Sequence, residues 1–116
     1  MTQQEEKIIQ IVCRKYGITI EQIMSKRRVQ QVVKPRQIAQ YLMVRKKTGT
    51  LGNIGRIFDS DHATVIHSER KTRGLMEIYT SFRKEIEDLD HEISVGSFIE
   101  SQMYIFGKDL GSKINY

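Results

Sequence analysis

Three short stretches of this sequence carry side chains suited to reading a nucleic acid. The first is Asp61-His62-Ala63-Thr64, followed by His67, Arg70 and Lys71. A helix that enters a major groove meets base edges with its N-terminal residues. Thr and His hydrogen-bond such edges, and Ala touches a thymine methyl. Arg70 and Lys71, one or two turns later, suit phosphates. The same residues also read as an ordinary helix start, with Asp61 and Thr64 as caps and His62 in solvent. The second stretch is Lys34-Pro35-Arg36-Gln37. Arg pairs with guanine and Gln with adenine, each through two hydrogen bonds; alternatively both are plain solvated residues at a helix start. The third is Lys26-Arg27-Arg28. A cationic loop can place an arginine in the minor groove, where narrow A·T tracts concentrate negative potential, though taken by itself the stretch reads first as a plain basic loop.

Catalytic chemistry finds no comparable grouping. His62 and His67 are five positions apart, off the four-residue spacing that puts two zinc ligands on one helical face, and His91 stands alone among acidic residues. Gly107-Lys108-Asp109 and Gly111-Ser112-Lys113 lack the spacing of a phosphate loop. No paired carboxylates or nucleophile–base set stands out. The expectation is a binding protein rather than an enzyme, with no metal and no cofactor. The single cysteine, Cys13, rules out an intramolecular disulfide and fits a reducing compartment.

The elements that must position these stretches are helical almost throughout. Ile8, Ile9, Val12 and Tyr16 form one stripe of a first helix from about Gln3 to Tyr16, closed by Gly17. Thr19-Ile20-Glu21-Gln22 reads as a capping box for a short second helix, and residues 25–31 read as a loop. Pro35 is expected at the first position of a third helix with Ile38, Ala39, Leu42 and Met43 inward, and Gly49 at its end. Thr50 caps a fourth helix with Leu51, Ile54, Ile57 and Phe58. Asp59-Ser60-Asp61 forms a turn, and a fifth helix carries Val65, Ser68, Thr72, Leu75 and Met76. Two helices joined by about three residues match a helix-turn-helix in spacing. A further acidic helical stretch, 81–93, is expected to break at Gly96. An apolar end with Phe98, Ile99, Met103, Tyr104, Ile105 and Phe106 either packs back on the core or pairs two chains. The domain expected is therefore 1–93, with 94–116 a tail for docking or for a homo-oligomer.

Composition agrees with one intracellular domain of 116 residues. Residues 1–76 hold 15 Lys/Arg against 6 Asp/Glu, and residues 77–116 hold 4 against 8. The basic excess, a net +9, therefore lies in the part that carries the three stretches, as a polyanion-binding surface requires. The opening residues are polar and acidic, unlike a signal peptide, and no apolar run approaches a membrane span. The expected place is the cytoplasm, on the nucleoid, with no membrane partner.

In order and spacing, Tyr16-Gly17-Ile18, Ser25-Lys26-Arg27-Arg28, Pro35-Arg36-Gln37-Ile38-Ala39, Leu51-Gly52-Asn53-Ile54-Gly55 and Asp61-His62-Ala63-Thr64-Val65-Ile66-His67 with Arg70-Lys71 resemble the C-terminal DNA-binding domain of bacterial DnaA initiators. The resemblance runs from about residue 7 to residue 75. It implies an all-α, Trp-repressor-like helix-turn-helix domain with an extra C-terminal helical segment. The implied partner is double-stranded DNA at an A·T-rich nonamer, the DnaA box, in control of replication initiation or transcription. It also implies roles by position: Arg28 in the minor groove; Arg36 and Gln37 in the major groove; Asp61, His62, Ala63 and Thr64 on bases. Phosphates would fall to Lys71, His67, Lys47 and the Thr50-Leu51 helix start. Ala63 replaces the first Thr of the family's signature, and Asp59-Ser60 replaces a longer Gly-Gly-Arg turn. The family's ATPase domain has no counterpart in the sequence, so a stand-alone binding module is expected. A protein-interaction module that keeps the fold without tight DNA binding is the alternative.

Overall fold

Threonine and aspartate side chains start four of the helices of this chain. Thr2 accepts from the Glu5 N–H while the Glu5 carboxylate accepts from the Thr2 N–H, and Thr19 and Gln22 pair in the same way. Thr50 accepts from Asn53 N–H, and Asp61 from Thr64 N–H. Each satisfies a donor that the first turn would otherwise leave open, and a threonine cap of this kind contributes ~1 kcal/mol. The computed structural model describes residues 1–106, with side chains to residue 95. Among them are six helices and no strand: α1 (Gln3–Tyr16), α2 (Ile20–Met24), α3 (Gln30–Arg45), α4 (Leu51–Ile57), α5 (His62–Ile78) and α6 (Thr80–Phe106). The expected tail lies almost wholly outside the residues with described side chains, and 107–116 lie outside the described residues altogether. Among the described residues, no helix is long and apolar enough to cross a membrane.

Three boundaries differ from the sequence expectation. The third helix begins at Gln30, not at Pro35, which sits inside it. Val32, itself buried and in helical register with Pro35, Ala39 and Leu42, starts the buried face one turn earlier and anchors a start that has no side-chain cap. Pro35 has no N–H for the Gln31 carbonyl, and that acceptor belongs to an exposed residue. At the other end, Lys47 takes the left-handed conformation (φ 55) in place of Gly49. The Thr48 N–H returns to the Met43 carbonyl and the Lys47 N–H to Val44, satisfying the last carbonyls of α3. Buried Glu5 accepts from the Thr48 hydroxyl and holds this corner against α1. Finally, α6 runs through Gly96; one glycine costs a helix interior only ~1 kcal/mol.

The core gathers one face of every helix: Ile8 and Val12 of α1, Ile23 of α2, Ile38 and Leu42 of α3, Ile54 of α4, Val65 of α5, and Ile86, Leu89 and Ile93 of α6. A buried hydrogen bond from the Ser68 hydroxyl to Gln40 fixes α5 on α3. The acidic residues of α6 meet the basic side chains of α1 and α3. Glu92 pairs with Arg14, Asp90 with Lys46 at 2.5 Å, and Glu85 with Lys34 and the Tyr16 hydroxyl. The charge asymmetry of the sequence is thus partly internal.

Candidate nucleic-acid interface

The start of α5 is set by a backbone contact. A Cβ on Gly55 of α4 would lie 2.8 Å from the Ser60 carbonyl oxygen and 2.9 Å from that of Asp61. Only glycine lets the two helices of the pair approach this closely. The Gly55 carbonyl in turn accepts from the Ser60 N–H at 2.8 Å. Asp59, at φ 53, makes the reversal between them. Asp61 then caps α5, its Oδ1 accepting from both the backbone N–H and the hydroxyl of Thr64. These two hydrogen bonds hold its carboxyl below the usual carboxylate range.

Sequence spacing then divides α5 into two faces. Val65, Ser68 and Thr72 are buried against the core, while His62, Ala63, Thr64, His67, Arg70 and Lys71 are all exposed. A helix buried on one side and bearing short polar residues at its free N-terminal turn has the shape that fits a major groove.

The basic stretch forms the link between α2 and α3, and Arg27 and Arg28 are exposed on it. Lys26 Nζ reaches Asp59 Oδ2 at 3.0 Å, so the link and the turn before α5 are neighbours. Arg28, Lys47, Arg70 and Lys71 form no ion pair with another described residue. Lys47 follows α3, and Thr50 and Leu51 open α4, all exposed.

Two expected DNA-facing cations are engaged within the chain. The Lys34 ammonium lies between the Tyr16 and Phe82 rings, 5.5 and 5.4 Å from their centroids, and 3.6 Å from Glu85. Burial raises the Tyr16 pKa, and Glu85 adds to it. Arg36 donates from Nε to the Ile23 carbonyl (3.0 Å), from Nη2 to Ser25 (2.5 Å) and from Nη1 to Arg27 (3.0 Å). Partial burial lowers its pKa from the ordinary arginine value. Its neighbour Gln37 lines a cleft of about 520 Å³ between α3, α5 and α6, together with Lys71. The third stretch thus touches the turn before the first at Lys26–Asp59, and Gln37 of the second lines the same cleft as Lys71 of the first.

Sequence reasoning missed Gly55, the Lys26–Asp59 contact and the anchoring role of Arg36. A glycine inside a short helix is the one signal that pointed to a close backbone approach; the other two join residues distant in sequence.

The family described as bacterial DnaA protein helix-turn-helix matches residues 5–72. The chromosomal replication initiator protein DnaA of Rhodopseudomonas palustris strain TIE-1 is 39% identical over 89 residues, covering 76% of this chain and 19% of that protein. That of Brucella abortus biovar 1 is 39% identical over 90 residues, covering 77% and 18%. The chain therefore spans about a fifth of the length of these curated relatives. A crystal structure of a DNA replication initiation factor superposes with a TM-score of 0.67 at 29% identity, covering 78% of this chain and 29% of that one.

Proposed function

The chain belongs to the bacterial DnaA helix-turn-helix family, and from that membership we propose that it binds double-stranded DNA sequence-specifically, at an A·T-rich site like a DnaA box. The observation that carries this reading is the exposed N-terminal turn of α5, held by the Gly55 contact next to a basic link that ends in unpaired Arg28. His62, Ala63 and Thr64 meet base edges in the major groove, and Gln37 reaches it from α3, beside the Lys71 part of α5. Asp61 keeps Oδ2 for a cytosine amino group while Oδ1 caps the helix. Arg28 enters the adjoining minor groove, and Arg27 follows its backbone. Lys71, Arg70, His67, Lys47 and the Thr50-Leu51 start of α4 take phosphates. At its site the protein regulates replication initiation or transcription on the nucleoid.

Fluorescence anisotropy with a box duplex and a scrambled duplex tests the reading. Tight binding to the box alone is expected, falling steeply with salt as phosphate contacts release counterions. Equal affinity for both duplexes sinks sequence specificity, and no affinity for either leaves a protein-interaction module.

A further inference from the structure

We propose that Arg36 is a positioning residue, a clamp that shapes the basic link from within and so presents Arg28 to the minor groove. This rests on the reading of Arg28 given above. The guanidinium spans three carbonyls of one short stretch, Ile23, Ser25 and Arg27, using all three of its nitrogens. A planar fork with fixed donor directions makes such a bridge; a lysine ammonium carries the charge without the geometry.

Both ends of the clamp are anchored. Arg36 rises from α3 between buried Pro35 and buried Ile38, and Ile23 is itself fully buried. The Ile23 and Ser25 carbonyls belong to the end of α2, where a helix leaves acceptors without intrahelical partners. The third carbonyl matters most. It belongs to the peptide unit that joins Arg27 to Arg28, so fixing it fixes the plane from which Arg28 leaves the chain. Ser25 is also tied back to the Gln22 carbonyl by its hydroxyl at 2.6 Å, but the ties further along the link are weaker. The Arg27 N–H meets the Ser25 hydroxyl only at 3.3 Å, and Lys26 and Asp59 are both largely exposed. A link shaped before DNA arrives loses less freedom on binding, so removing the clamp raises the cost of seating Arg28.

A mutant cycle tests this. Wild type, Arg28→Ala, Arg36→Ala and the double variant are titrated with the box duplex. Each single variant is expected to bind about tenfold more weakly, and the double variant no more weakly than Arg28→Ala. Losses that multiply would mean that Arg36 touches DNA on its own account, and overturn the proposal. So would full recovery of affinity in Arg36→Lys. Backbone 15N order parameters of the free protein give a second, DNA-independent reading. Those of Lys26, Arg27 and Arg28 are expected to fall in Arg36→Ala, with α3 and α5 as rigid as before. Unchanged order in the link overturns the clamp. If instead Arg28→Ala binds like wild type, the minor-groove reading itself has failed, an outcome visible in that variant alone.

Discussion

The turn before α5 and the basic link before α3 lie side by side, joined by Lys26 and Asp59, yet they are held in opposite ways. The turn is fixed by backbone packing on a glycine and by a cap within the same helix. The link has no helix of its own and is fixed by one guanidinium reaching in from α3. Geometry set by packing is stiff and is broken by adding an atom. Geometry set by a long side chain is broken by removing one. The two regions should therefore fail differently, in stability on one side and in binding on the other.

Gly55→Ala should have the largest effect. Its Cβ would press on the Ser60 and Asp61 carbonyl oxygens at under 3.0 Å. Overpacking of this kind costs ~1–3 kcal/mol, and against backbone the upper end applies. A denaturant midpoint checks it, and a variant as stable as wild type would show the turn to be as pliable as the link. Next, Arg28→Ala should leave the midpoint unchanged while weakening box binding by ~1–3 kcal/mol. A loss of stability instead would make Arg28 part of the packing and erase the contrast.

Asp61 offers a smaller, pH-dependent test. Its carboxyl titrates below its unfolded value, so its contribution is present above the unfolded pKa and is lost as pH falls through the folded one. Stability measured against Asp61→Asn should show an advantage for wild type near neutral pH that shrinks below about pH 4. An advantage that persists into stronger acid would mean that the cap does not depend on charge. The smallest effect is expected from Asp59→Gly. Glycine relieves the left-handed backbone but adds freedom to the unfolded chain, and the exposed ion pair with Lys26 is worth ~0–1 kcal/mol. The stability derived from the midpoint should change by no more than ~0.5 kcal/mol. A larger loss would show the two regions to be coupled through Lys26.

Much of this was legible in the sequence. The capping residues Thr19 and Thr50 and the Gly17 stop act locally, so their spacing alone placed α2, α4 and the end of α1; for α5 the spacing allowed Ser60 or Asp61 as the cap, and Asp61 takes it. The membership of the DnaA family was readable from ordered motifs, as the match to residues 5–72 bears out. Thr2 and Glu5 carry the same capping-box pattern and fix the start of α1. What escaped was non-local or energetically small. Val32 anchors the first turn of α3 through burial that no cap announces. Gly96 was too weak a breaker to stop α6. Arg36 and Lys34 looked like free cations because their partners are 9 to 13 residues away in the link or on other helices.

The buried face of α6 sets a condition on synthesis. Ile86, Leu89 and Ile93 complete the core over α1, although the family match ends at residue 72. A nascent chain that has emerged only to that point exposes the apolar stripe of α1. α5 can wind early, but the platform beneath it closes only when the ribosome has delivered Ile93.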